Sequence, residues 1–247
     1  MPVRRALRAI RAQALMELRL LVRSGESLII TFGIPLGLLG FFSQVDVLPT
    51  GGVPAVDFLV PGALAIAVVA TGMVAVPIQT AFERKYGVLK RLGSTPLPAA
   101  GFLAAKALAV AALVAVQSLL VLALAIGVLG WRPEGGAAVV PLGIAVGAVA
   151  ATSLGLLIAG ALRAETTLAL TNALFLVLLM ISGVAFDVAV LPASVAGIGQ
   201  LLPLGALVRV LRTGLDGGGF DAVAFGVLGV TAVAAIAAAS RWFRWEP

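Results

Sequence analysis

The chain has 247 residues, 61% of them apolar and only 11% charged, with a mean hydropathy of +1.15. Soluble domains carry about 25% charged residues, so a water-soluble globule is excluded and a membrane protein is the expected class. The absence of cysteine and histidine excludes disulfide frameworks, thiol nucleophiles, Cys/His zinc sites and His-centred triads, and the net charge of +6 has to be read through where its charges fall.

Residues 3–23 come first. At 100° per residue, Val3, Leu7, Ile10, Ala14, Leu18 and Leu21 fall on one face, with Arg4, Arg8, Arg11 and Arg19 well off it. This pattern predicts an amphipathic helix lying in the membrane interface rather than a cleaved signal, since no small-residue cleavage site follows a short apolar core. A solvated basic tail is the alternative.

Seven charge-free runs of at least 19 residues follow: 27–45, 58–82, 107–131, 135–162, 166–186, 188–208 and 222–240. An ionised group at the bilayer centre costs about 2.5–3.5 kcal/mol, and about 20 residues suffice to cross. Six runs predict spans, at about 27–45, 58–81, 104–130, 138–161, 167–186 and 221–240. Run 188–208 carries Pro192, Gly197, Gly199 and Pro203, and a straight helix does not tolerate that set in its interior. It predicts two half-helices that enter the outer leaflet, turn at the glycines and return as an outer gate over the bundle. With six spans, fourteen Lys and Arg share one side and three the other. The positive-inside rule then puts both termini in the cytoplasm of a multi-pass plasma-membrane protein. Gly33-xxx-Gly37 and Gly143-xxx-Gly147 permit close helix approach, though a chain this rich in Gly and Ala produces such spacings by chance.

The six spans contain no ionisable residue at membrane depth, which argues against an ion-coupled secondary exporter. Their polar residues are neutral: Gln79, Gln117, Ser118, Thr152, Ser153, Thr171, Asn172 and Ser182. Each either bonds a neighbouring helix or lines a path for an amphiphile; Gln117, Thr152, Ser153, Asn172 and Ser182 form the candidate substrate path. Walker A is absent, as is any Gly-Lys dipeptide. Energy for pumping would therefore come from a separate chain.

Between the second and third spans, residues 82–95 predict a short charged helix with Phe82, Tyr86 and Leu89 on one face, closed by Gly93, Pro96 and Pro98. Such a ridge suits docking into a partner's groove; a plain positive-inside loop is the alternative. Glu83-Arg-Lys-x-Gly-Val-Leu-Lys-x-Leu with Thr95-Pro-Leu-Pro resembles the loop after the second span in permeases of ABC type-2 transporters. Ile181-Ser-Gly-Val-x-Phe, Leu191-Pro, Leu202-Pro-Leu and Arg209 resemble the stretch before that family's sixth span.

The resemblance covers essentially the whole chain, and it implies a single permease domain over 1–247. The fold class is then an all-α membrane protein with six transmembrane helices, an N-terminal interfacial helix and a re-entrant outer hairpin between spans 5 and 6. It also implies that Glu83 and Arg84, with Phe82, Tyr86 and Leu89, contact a cytoplasmic ABC ATPase subunit, which would hold ATP and Mg while this chain binds no cofactor. The other expected partners are a second permease copy or paralogue and the lipid bilayer, with no nucleic acid. A hydrophobic drug or lipid-like cargo is expected, exported from the cytoplasm or inner leaflet. An ion-coupled exporter and a non-transporting membrane scaffold are the alternatives.

Overall fold

The computed structural model describes residues 3–23, 25–45, 50, 52–93, 99–136, 138–185 and 187–242. Residues 94–98 of the expected coupling segment and its closing motif, together with Phe186 and Arg244, lie outside them. The described residues form helices and no strand. In chain order these are α1 (Val3–Arg23), α2 (Gly25–Phe42), α3 (Ala55–Val69), α4 (Val76–Lys85), α5 (Val88–Gly93), α6 (Ala99–Gly127), α7 (Val139–Ala161), α8 (Ala164–Ile181), α9 (Ala193–Gln200), α10 (Pro203–Leu215) and α11 (Ala222–Trp242).

A π-helical segment, Ala70–Ala75, joins α3 to α4 without a break, so one 31-residue apolar rod runs from Ala55 to Lys85. The second span therefore continues past residue 81, and Phe82, Glu83 and Arg84 belong to its last turn rather than to a separate helix. The chain leaves the rod at Tyr86 and Gly87, where a φ of 73° suits glycine, before α5 begins.

Ends alternate along the sequence as spans require. At one end, Arg84 of α4 reaches the carbonyl of Gly160 at the end of α7, and Lys85 pairs with Glu165 at the start of α8. At the other, Trp131 after α6 donates to Asp57 of α3 at 2.5 Å, and the Gly135 N–H donates to Leu215 at 3.2 Å. Among the described residues, five helices are long and apolar enough to cross a bilayer, the rod from Ala55 to Lys85 and α6, α7, α8 and α11. The apolar stretch Thr31–Phe42 of α2 is shorter, and a sixth span is reached only if the bent pair Ala193–Gln200 and Pro203–Leu215 is taken as one.

α9 and α10 meet at 82°. Their 8 and 13 residues reach only about 12 and 20 Å, so neither crosses about 30 Å of hydrocarbon. The two-piece reading of 188–208 holds, but the turn differs from the expectation. It falls at Leu201 and Leu202, with Pro203 opening α10, where a missing N–H costs nothing. Gly197 and Gly199 lie inside α9, and α10 continues past 208 to Leu215.

Small residues set how closely these helices pack, because in lipid the apolar effect no longer favours helix against helix and van der Waals fit decides. A Cβ on Gly199 would lie 1.9 Å from the Ile181 carbonyl oxygen, and one on Gly205 2.1 Å from that of Gly199. On α7, a Cβ on Gly143 would meet Val210 at 2.5 Å and one on Gly147 would meet Leu207 at 2.7 Å. That GxxxG pair is thus the seat of the hairpin's second helix. Gly33 and Gly37 of α2, by contrast, have nothing within 4 Å of an added Cβ.

Candidate coupling site and substrate path

The corner at α4 and α5 is built on fixed supports. Arg84, 5% exposed, donates through Nη1 to Gly160 O at 2.7 Å and through Nη2 to Leu162 O. It thereby satisfies carbonyls that the end of α7 leaves open, with its cation on the negative end of that helix. Leu89 is fully buried and pins α5. Phe82 is half-buried and stacks on Tyr86 at 6.1 Å. Of the five expected coupling residues, Tyr86 is the one that stands out, at 69% exposure. Val88, Lys90 and Arg91 are exposed beside it.

Glu83 points into the protein. Its Oε2 lies 2.9 Å from Lys106 Nζ, which is also 2.7 Å from Glu17 Oε2 on α1. Gln79 donates to Glu83 Oε1 at 2.7 Å, and Gln13 to Glu17 Oε1 at 2.8 Å. Lys106 and Glu17 are 1% and 2% exposed. Lys106 sits inside α6, so an ionisable residue does lie within a spanning helix. The network ties the interfacial helix to the second and third spans, and sequence reasoning missed it. Its members are separated by 89 and 23 positions, and the available signal is the ionisable Lys106 just before the charge-free run 107–131.

The expected path residues do not converge. Gln117 accepts from Thr71 at 3.1 Å and donates to Thr31 O at 3.2 Å, bridging α6, the π segment and α2. Thr152 is buried against Gly72, and its hydroxyl has no hydrogen-bond partner among the described residues. Ser153 is half-buried one position on. Asn172 is exposed and donates to Leu168 O at 2.7 Å on its own helix, while Ser182, at the end of α8, is buried. Gln117 thus serves helix contact, and Asn172 faces outward.

At the hairpin end, Pro192 precedes α9, and the two cations after Pro203 are held by local partners. Arg209 pairs with Asp221 at 2.7 Å, and Arg212 lies 4.6 Å over the Phe58 ring while donating to Gly183 O at 3.2 Å. Asp221 also accepts from Ala224 N at 2.9 Å, capping α11. That N–H, with Arg209 beyond it, holds the Asp221 carboxyl below the usual carboxylate range.

A bundle of long apolar helices with a bent helix pair at one end and a basic corner at the other defines a polytopic membrane protein of the permease type. The chain belongs to the ABC-2 type transporter family, whose model matches residues 7–215. The comparison with curated proteins returned no match.

Proposed function

We propose that the chain is the transmembrane subunit of an ATP-driven exporter, with the ATPase as a separate cytoplasmic subunit seated on the corner at α4 and α5, and with a second permease copy or paralogue completing the assembly. The observation that carries this reading is the way exposed Tyr86 and Val88 sit on a corner bound to every neighbouring element. Arg84 holds α7, Lys85 holds α8, and the Glu83 network holds α6 and α1. A push at Tyr86 is therefore shared by four helices instead of being absorbed in a flexible loop. ATP and Mg would belong to the partner. Drawing two such corners together would tilt two permeases as rigid bodies, the usual route from a local contact to a global change. Apolar spans favour a hydrophobic or amphiphilic cargo, and the hairpin would close the outer mouth.

The test is Tyr86→Ala in the assembled transporter. The ring is outside the packed bundle, so the amount of permease in the membrane should stay within a factor of about two, as for surface changes generally. Export should fall about tenfold or more, as for loss of an aromatic anchor at an interface, and co-purification of the ATPase should weaken with it. Unchanged export together with unchanged co-purification would remove the corner from the ATPase interface.

A further inference from the structure

A groove of about 670 Å³ runs between α1 and α4, with α6 behind it. Met16 and Leu20 line it from α1, Ala75, Ile78 and Phe82 from the rod, and Tyr86 from just past the rod's end. The last four follow one another at helical spacing and form a single stripe, about 16 Å long at 1.5 Å per residue. That is the depth of one leaflet in a hydrocarbon core of about 30 Å. Glu83 also borders the groove, but its oxygens are engaged by Lys106 at 2.9 Å and by Gln79 at 2.7 Å. What the stripe offers a ligand is therefore an apolar slot. We infer that the groove holds an acyl chain of an anionic phospholipid from the leaflet on the side of the α4 and α5 corner, with the lipid phosphate on Arg19 and Arg23.

The cations beside the groove set the sign of the headgroup. Arg19 lies three residues after Met16 and Arg23 three after Leu20, so on the helix each stands beside a residue that lines the groove. Both are exposed, and neither forms an ion pair among the described residues. Lys85, Lys90 and Arg91 are exposed at the α4 and α5 end. The carboxylates held between these elements already face cations, Glu17 and Glu83 at Lys106 and Glu165 at Lys85. Guanidinium groups give a phosphate forked, charge-assisted hydrogen bonds, and basic residues between helices at a membrane surface gather anionic headgroups. Phosphatidylcholine would fill the slot with the same hydrocarbon, but it would bring a quaternary ammonium towards the two arginines.

The site does not depend on the transport reading, and its occupancy is read on the full chain in detergent by native mass spectrometry. The chain is titrated with dioleoylphosphatidylglycerol and with dioleoylphosphatidylcholine, which share their acyl chains and differ in headgroup. The phosphatidylglycerol should bind tighter by about tenfold or more, the scale of one hydrogen bond to a charged group. Arg19→Gln combined with Arg23→Gln should remove most of that preference. Arg8→Gln combined with Arg11→Gln should leave it in place, because those arginines lie at least five residues before Met16 on the same helix. Ile78→Trp puts a larger side chain in the slot, and should weaken both lipids several-fold while keeping their order. Equal affinity for the two lipids, or a preference that survives loss of Arg19 and Arg23, overturns the assignment. An equal loss in the Arg8 and Arg11 variant would reduce it to diffuse attraction and overturn it too, as would an Ile78→Trp chain that binds both lipids like the parent.

Discussion

Lys106→Met should cost the folded chain about 3–5 kcal/mol, the penalty for removing one partner of a buried ion pair. The substitution leaves Glu17, 2% exposed, and Glu83 facing each other without a cation between them. Detachment of α1 from α6 should follow, read as a fall in midpoint temperature in detergent and a lower yield from the membrane. Glu17→Gln should be milder, because Lys106 keeps Glu83. Replacing all three charges by Leu, Met and Leu should recover most of the loss, since a well-packed apolar cluster often equals or exceeds a buried ion network. A Lys106→Met chain as stable as the parent would mean that the network does not hold α1.

Gly155→Val should be the most damaging of the glycine substitutions on α7. A Cβ there would lie 2.2 Å from Pro77 Cγ, 2.8 Å from Gly72 O and 3.0 Å from Met73 Cα. Two of those atoms are backbone, so relief requires moving the π segment away from α7. Overpacking of this kind costs about 1–3 kcal/mol, and this site belongs at the upper end. Gly229→Ala on α11 is the matched control, because nothing lies within 4 Å of its added Cβ. It should be neutral or gain up to about 1 kcal/mol from helix propensity. Equal thermal midpoints for the two variants would contradict the tight packing of α7 on the rod.

What the sequence makes legible here follows from which signals are local. Charge-free runs locate spans because each ionised group is expensive at depth, and Pro192 and Pro203 mark the broken hairpin because a helix interior excludes them. The turn between α9 and α10 was misplaced since glycine was read as flexibility, whereas Gly199 and Gly205 are needed for close approach to Ile181 and to each other. Glu83, Arg84 and Lys106 look like loop charges because they flank apolar runs. Their burial depends on partners far away in sequence, Glu17, Gly160 and Leu162, which no periodicity encodes. The π segment lies just before Pro77, which has no N–H to offer the Met73 carbonyl, so its position is marked in the sequence, whereas the close approach of Gly155 to Gly72, Met73 and Pro77 is not.

Because the chain contains no cysteine, single Tyr86→Cys and Phe220→Cys variants can be labelled from either side in intact cells with a membrane-impermeant maleimide. Both positions are exposed, at 69% and 58%, and lie at opposite ends of the bundle. An ATPase can reach the corner at α4 and α5 only if that corner faces the cytoplasm. The account predicts labelling of position 220 from outside, and labelling of position 86 only after the membrane is opened. External labelling at 86 would contradict it.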